Sequence, residues 1–88
     1  MNLYLVAYDI SDDKARRRAV TLLSRRGVRI QRSVFEVLAY PAGLRRLLAT
    51  LERLLGPEDS VVAYRLNAER EWVGVLLPEL PEQRVSLL

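Results

Sequence analysis

A short apolar run near the start of the chain, residues 3–8, constrains the fold most. The run is too short for a helix, is rich in leucine, valine and tyrosine, and has no polar face. It therefore predicts a central strand that is buried on both sides. A carboxylate, Asp9, follows at the exit of this strand. The chain has 88 residues, which is enough for one domain built around such a strand.

The stretch after Asp9 predicts a first helix. Ser11 and Asp12 are both suitable N-caps, and helical spacing continues to about Arg26, where Gly27 is expected to end the helix. The predicted buried stripe consists of Ala15, Ala19, Leu22 and Leu23.

Arginines surround that stripe. Arg17 is expected to point away from the core, whereas Arg16, Arg18 and Arg25 flank the stripe and can reach a ligand beside the sheet. Asp12 and Asp13, at the start of the helix, fit the ordinary role of complementing the helix dipole.

Residues 28–39 have strand character but change phase. Val28 and Ile30 share one parity, and Phe35 and Val37 share the other. Such a change means a bulge, a sharp bend or a tight hairpin, and the sequence does not choose among them. A short strand followed by a turn is the favoured interpretation.

A leucine-rich stretch predicts a second helix. Pro41 and Gly43 break the strand pattern, and leucines then recur at helical spacing as far as Gly56 and Pro57. The leucines of this stripe are Leu44, Leu47, Leu48, Leu51, Leu54 and Leu55.

Two further strands complete the predicted order. Residues 61–66 form a fourth strand, and residues 71–77 form a fifth that is apolar on both faces. An exposed edge of that kind favours pairing with the sheet of a second copy, so we expect a homodimer. The fold class is α+β: a ferredoxin-like βαββαβ domain over residues 1–77 with an extra C-terminal strand, followed by a tail at 78–88.

The charge of the chain is unevenly distributed. Residues 1–13 sum to −3, residues 14–32 to +8 and residues 33–88 to −2, within a net charge of +3. A basic patch of this kind attracts polyanions and binds them in a salt-dependent way. The alternative is an ordinary solvated face, since many surface arginines have no binding role.

The chain contains neither cysteine nor histidine. Disulfides, zinc sites built on those ligands, thiol nucleophiles and imidazole bases are therefore excluded. Hydrolysis would have to rest on carboxylates with a hard metal such as magnesium, or on hydroxyl and guanidinium groups. No apolar segment reaches about 18 residues, so we expect a soluble cytoplasmic protein with no membrane partner.

Asp9 is the candidate catalytic and metal-binding residue. One carboxylate holds magnesium weakly, whereas two brought together across a two-fold axis would hold it usefully and could orient a water toward a phosphate. The alternative is that Asp9 only caps the first helix, a role that Ser11 and Asp12 could fill better.

Other residues could assist at this site. Arg16 and Arg18 suit phosphate clamping, and Arg29 and Arg32 flank the phase change, where a bent backbone can aim a side chain. Three further residues could support the site, although packing or turn bonding is the more common role of such residues: Tyr8, Ser33 and Phe35.

Two spaced motifs carry a resemblance to a known family. Residues 8–13, followed by Arg16 and Arg18, and then residues 29–36, resemble the small CRISPR-associated adaptation protein of the Cas-two family, the CRISPR-associated endoribonucleases. The leucine-rich helix and the fourth strand follow in the family's order, so the resemblance covers residues 1 to about 77.

The resemblance implies a ferredoxin-like homodimer in which Asp9 of each chain faces its partner and can bind magnesium. It also implies endonuclease activity on RNA or DNA and a bridging role with the larger CRISPR integrase subunit during spacer capture. The family often has an aromatic residue where Arg32 stands. The functional positions carried over from the family are Tyr8, Asp9, Arg16, Arg18, Arg29 and Phe35.

Three functions remain open at this point. The first is a magnesium-dependent phosphodiesterase, with Asp9 holding the ion and arginines neutralising phosphate. The second is a noncatalytic DNA-binding scaffold between integrase dimers, which the absence of histidine and the scarcity of acids near Asp9 favour. The third is a toxin-type ribonuclease of related fold.

Overall fold

The computed structural model of the chain describes residues 1–66. The predicted fifth strand at 71–77, the domain boundary at 77 and the tail at 78–88 lie outside the described residues. The elements are β1 (Asn2–Asp9), α1 (Asp13–Ser24), β2 (Gly27–Gln31), β3 (Val34–Ala39), α2 (Pro41–Glu52) and β4 (Ser60–Leu66).

The four strands form one sheet in the order β2-β3-β1-β4, and neighbouring strands are antiparallel. Strand β1 therefore lies inside the sheet, as its unbroken apolar sequence predicts. This strand order and the element order confirm the ferredoxin-like βαββαβ arrangement.

The core lies between the sheet and the two helices. Every second residue of β1 enters it, beginning at Tyr4, and Phe35 and Val37 enter it from β3. Helix α1 contributes Ala19 and Leu23, and both are fully buried. Each large apolar side chain buried in this way stabilises the fold by about 1.5–3 kcal/mol, so the packing of the helices fixes the ends of β1 in space.

Helix α1 begins as predicted and ends earlier. The Asp12 carboxylate accepts a hydrogen bond from the Ala15 N–H at 2.8 Å, so Asp12 is the N-cap. The helix stops at Ser24 rather than near Arg26, and the capping residue after it stays in the right-handed region.

The expected role of Gly27 as a helix terminator is wrong. No glycine in residues 1–66 has a positive φ, so Gly27 does not form a left-handed cap. It is the first residue of β2, where a Cβ would lie 2.1 Å from the backbone oxygen of Glu36. Glycine is required there because the backbones of β2 and β3 approach too closely for any side chain.

Strands β2 and β3 form a tight hairpin, which explains the change of parity between residues 28–30 and residues 35–37. Arg32 and Ser33 make the turn, and the pairing register shifts between Arg29 and Gln31. The structure therefore contains both the favoured turn and a bulge.

Helix α2 begins earlier than the leucine pattern indicates. Pro41 and Gly43 lie inside its first turn rather than before it, and Pro41 suits that position because the first N–H groups of a helix have no partner within it. The helix ends at Glu52, while Leu54 and Leu55 continue to pack half-buried against the core.

The face of the sheet opposite the helices is largely apolar, although Glu36 of β3 also lies on it, opposite Leu5. Leu38, Val62 and Tyr64 are each about half exposed there, and Leu5 between them is buried. Large apolar side chains exposed together favour a contact with another surface. Within residues 1–66, no helix has the length and apolar character needed to cross a bilayer.

Candidate functional site

An open cleft lies where the end of β1, one side of α1 and the β2–β3 turn meet. Its volume is about 920 Å³. The cleft brings together residues that are distant in the sequence, because β1 lies next to β3 and α1 crosses the same end of the sheet. Its charged lining consists of Asp9, Arg16, Arg17, Arg29 and Arg32.

Asp9 is the last residue of β1, and its side chain is exposed at the cleft. Strand β1 is paired on both sides, and Asp9 lies opposite Ser60 of β4, so its backbone is held in place. Within residues 1–66, no hydrogen bond or ion pair engages the Asp9 carboxylate. It does not cap α1, since Asp12 does so, and it is therefore available to a ligand.

Arg16 braces the loop between β1 and α1. One terminal nitrogen, Nη1, donates to the carbonyl oxygens of Ile10 at 3.0 Å and Ser11 at 3.3 Å. The other, Nη2, forms an ion pair with Asp13. Because these bonds occupy both terminal nitrogens, Arg16 fixes the loop that follows Asp9, in addition to bringing positive charge to the cleft.

The turn between β2 and β3 is held mainly through the carbonyl group of Arg32. The Tyr8 hydroxyl donates to it at 3.0 Å, and Arg29 donates to it from Nε at 3.1 Å and from Nη2 at 2.5 Å. The Tyr8 N–H also donates to the Ser33 carbonyl at 3.1 Å. The turn that carries Arg32 is thereby tied to β1, one residue before Asp9.

Phe35 supports this arrangement from the core. The Arg29 guanidinium carbon lies 5.8 Å from the centre of the Phe35 ring, within the range of a cation–π contact. The Tyr8 and Phe35 rings are 6.4 Å apart. Tyr8, Arg29 and Phe35 are three of the positions that the family resemblance marks as functional, and here they position the turn.

Two arginines of the cleft have guanidinium groups with no partner among residues 1–66, namely Arg17 and Arg32. Arg17 points away from the core as expected, since it is exposed, but it also lines the cleft, a position that was expected only of the flanking arginines. Arg18 does not line the cleft, although it was expected to flank the ligand together with Arg16. Residues 16, 17, 20 and 21 share the cleft side of α1, and Arg18 lies beyond it.

Ser33 also lines the cleft. Its backbone carbonyl is bonded to Tyr8, while its hydroxyl has no hydrogen-bond partner within the described part of the chain. From the sequence, Ser33 could support the Asp9 site or bond the turn. Within residues 1–66 its side chain makes no hydrogen bond that serves either role.

Sequence reasoning missed Asp59. Its carboxylate accepts hydrogen bonds from the Gly56 N–H at 2.8 Å, the Ser11 hydroxyl at 2.8 Å and the Ser11 N–H at 3.1 Å. The Gly56 bond, followed by the Ser11 hydroxyl, lowers the pKa of Asp59 below its usual 3.8. The Gly56-Pro57 turn signals the local bond, but nothing in the sequence points to Ser11, which lies 48 residues away.

The loop after Asp9 is consequently held from two directions. Arg16 binds its carbonyl groups from α1, and Asp59 binds Ser11 from the segment before β4. Ser11, considered as an N-cap for α1, serves as this cross-link instead.

A metal ion has few possible ligands in a single chain. Residues 1–66 contain no group of three or more His, Cys, Asp or Glu side chains arranged to hold one. Asp9 stands alone among four guanidinium groups, whose positive charge opposes cation binding. One described chain therefore does not fit a magnesium ion, and a site for one would need a carboxylate from a second chain.

Fold and cleft together define a class of small α+β proteins in which a ferredoxin-like sheet presents one strand-end aspartate to an arginine-lined cleft. The chain belongs to the Cas2 family, since the family model described as CRISPR associated protein Cas2 matches residues 1–72. This match confirms the resemblance seen in the sequence.

Individual relatives agree with the family assignment. A Thermus thermophilus protein named CRISPR-associated endonuclease Cas2 2 is 41% identical over 85 residues, which cover 94% of each chain. A Synechocystis protein named CRISPR-associated endoribonuclease Cas2 2 is 42% identical over 71 residues, covering 78% of this chain and 76% of the relative.

The fold also matches solved structures. A chain from a structure titled as a partial Cas6-RT-Cas1–Cas2 complex superposes with a TM-score of 0.69 at 29% identity. The match covers 84% of this chain and 92% of that one. The ferredoxin-like assignment therefore rests on both the topology and the comparison.

Proposed function

We propose that the chain is a CRISPR adaptation protein that acts as a magnesium-dependent nuclease on RNA or DNA, as a homodimer and beside a Cas1 partner. The observation that carries the proposal is the exposed Asp9 carboxylate at the end of a paired strand, in a cleft where the guanidinium groups of Arg17 and Arg32 have no partner among residues 1–66. The names of the relatives, endonuclease and endoribonuclease, support nuclease activity without choosing the nucleic acid. The complex that contains Cas1 and Cas2 supports the partner.

The proposed magnesium chemistry needs a second copy of the chain. Asp9 of a second copy would supply the carboxylate that a single chain lacks. The apolar sheet face around Leu38, Val62 and Tyr64 offers a surface for that copy.

The residues of the cleft divide into two roles. Arg17 and Arg32 bind phosphate oxygens of the substrate, while Arg16 and Arg29 hold the two loops that position Asp9 and Arg32. Asp9 of each chain would hold a magnesium ion, whose chemistry there would be to acidify a water and neutralise phosphate charge.

A cleavage assay tests this proposal directly. Single-stranded RNA and duplex DNA are incubated with wild type, Asp9→Asn and Glu52→Gln, each with and without magnesium. Asp9→Asn keeps the size of the side chain and removes its charge, and Glu52→Gln removes an exposed carboxylate outside the cleft. We expect roughly a hundredfold or greater loss for Asp9→Asn, in line with loss of a metal ligand, and none for Glu52→Gln. Cleavage that survives Asp9→Asn contradicts the assignment.

Mixed dimers test whether two Asp9 carboxylates act together. If wild-type and Asp9→Asn chains exchange freely in equal amounts, only wild-type pairs are active, and about a quarter of the activity remains. If each chain cleaves independently, about half remains, and the shared site is refuted.

A second function is favoured by a specific observation. The cleft contains four arginines and one carboxylate, with no histidine in the chain to act as a base. This composition also suits a noncatalytic scaffold that grips duplex DNA between integrase subunits. Salt-sensitive duplex binding by a wild-type protein that cleaves nothing in magnesium would establish this function in place of the first.

A further inference from the structure

Two arginine side chains converge at the end of the molecule opposite Asp9. A Cβ placed on Gly43 would lie 3.8 Å from Nη1 of Arg26 and 3.9 Å from Nη2 of Arg46. Arg26 follows α1 and Arg46 lies near the middle of α2, so the two guanidinium groups reach the same point from different segments of the chain.

Neither guanidinium group is neutralised within residues 1–66. The one ion pair of this part of the chain joins Arg16 to Asp13, and no hydrogen bond engages the side chain of Arg26 or Arg46. The first turn of α2 also contains no acidic residue. Two cations that share one point without a counter-charge repel each other, and an anion between them removes that repulsion.

Few carboxylates of the described residues lie near Arg26 and Arg46, so this end of the sheet is positively charged. Six of the seven carboxylates in residues 1–66 lie in the elements and loops at the Asp9 end of the sheet, and Glu36 lies within β3. Two more exposed arginines, Arg25 and Arg45, precede the members of the pair in the sequence.

This pair is separate from the Asp9 cleft. Asn2 at the start of β1 lies opposite Ala39, and α2 starts two residues later, whereas Asp9 ends the same strand. A strand of eight residues places its ends about 23 Å apart at roughly 3.3 Å for each step. No residue of the pair lines the cleft.

We propose that Arg26 and Arg46 together bind one phosphate of a nucleic acid over Gly43, as a second contact outside the cleft. Guanidinium groups match phosphate oxygens in shape and charge, and two of them converging on one point suit a single shared phosphate. This inference rests on the proposed function as a nucleic-acid-binding protein. It adds a contact that makes a bound duplex extend along the sheet, beyond the reach of Asp9.

The test is the salt dependence of binding to a labelled DNA duplex. The variants are Arg26→Gln, Arg46→Gln and the double substitution. Arg53→Gln serves as the matched control, because it removes the same charge from an exposed arginine beyond the other end of α2. The salt slope is the slope of the logarithm of the binding constant against the logarithm of the salt concentration. Loss of one phosphate contact reduces its magnitude by about 0.9, which weakens binding roughly eightfold at 0.1 M salt.

A shared phosphate also predicts how the effects combine. Each single substitution should give most of the loss, and the double substitution little more, because the same contact is broken each time. Arg53→Gln should leave the slope nearly unchanged. A slope that is unchanged in the double variant overturns the inference, as does an equal effect of Arg53→Gln, which would reflect net charge alone.

The same titrations separate this inference from the proposed function. If the wild type binds no duplex, both fail. If Arg32→Gln in the cleft weakens binding while the Arg26 and Arg46 variants bind as the wild type does, only the second contact fails, and the pair would then fit an acidic protein surface.

Discussion

Substitution of Gly27 by alanine tests the close approach of β2 to β3. The added Cβ would lie 2.1 Å from the Glu36 backbone oxygen and 3.0 Å from the Val37 Cα. Cβ contacts shorter than 3.0 Å essentially do not occur, so β2 must move outward by about 1 Å and weaken its pairing with Val37. Overpacking of this kind costs about 1–3 kcal/mol, and a weakened ladder bond adds about 1 kcal/mol.

Gly43→Ala is the matched control. A Cβ at Gly43 meets only the flexible ends of two arginines, at ordinary contact distance. Both substitutions restrict the unfolded chain to a similar degree, so their difference reflects mainly the folded surroundings of the two glycines. We expect Gly43→Ala to stabilise the protein by up to about 1 kcal/mol, because alanine is favoured over glycine inside a helix.

Urea denaturation at one fixed protein concentration measures both effects, since stability would depend on concentration if the chains dimerise. We expect Gly27→Ala to lose about 2–4 kcal/mol, a large part of the roughly 4–13 kcal/mol typical of a domain this size. Unfolding free energies for the two variants within about 0.5 kcal/mol of each other would refute the close approach of the strands.

Two further predictions concern the bonds that hold the cleft. Tyr8→Phe removes one donor from the Arg32 carbonyl, and we expect the free energy of unfolding to fall by about 0.5–1.5 kcal/mol. We also expect weaker nucleic-acid binding, which adding Arg32→Gln to Tyr8→Phe should not weaken further. Additive binding losses in the double variant would show that the turn is held without Tyr8. Asp59 has a lowered pKa, so its stabilising effect is complete above its unfolded value and is lost as the pH falls through the folded pKa. As the pH is lowered from neutral to below 3.8, the free energy of unfolding should fall less steeply in Asp59→Asn than in wild type. Equal slopes would show that protonation of Asp59 does not contribute to the pH dependence of stability.

The sequence predicts those elements whose pattern reflects their own burial. Strand β1 and helix α2 are examples, because an unbroken apolar run and a leucine stripe each carry enough signal for one element. The position of Asp9 at a strand exit follows from the same pattern. The ferredoxin-like topology then follows from the order of the elements, since few arrangements allow short, right-handed connections.

Other features depend on contacts between distant segments. Gly27 looks like a helix terminator in sequence, and only its approach to Glu36 reveals the actual requirement. Arginines flank the buried stripe of α1 on both sides. Which side faces Asp9 depends on how the helix lies across the sheet. That choice decides between Arg17 and Arg18, and it is not encoded in the periodicity of the helix itself.

The four arginines of the cleft have different energetic roles. Arg16 and Arg29 direct their guanidinium groups to backbone carbonyls, so a ligand phosphate must compete with those bonds to reach them. Arg17 and Arg32 have no such commitment among residues 1–66 and can meet a phosphate without breaking a bond. Because the bonds of Arg16 and Arg29 hold the loops on either side of Asp9, charge at the cleft and geometry at Asp9 depend on different side chains. A positively charged cleft can therefore remain after the position of the carboxylate has been lost, and nucleic-acid binding alone does not establish a competent catalytic site.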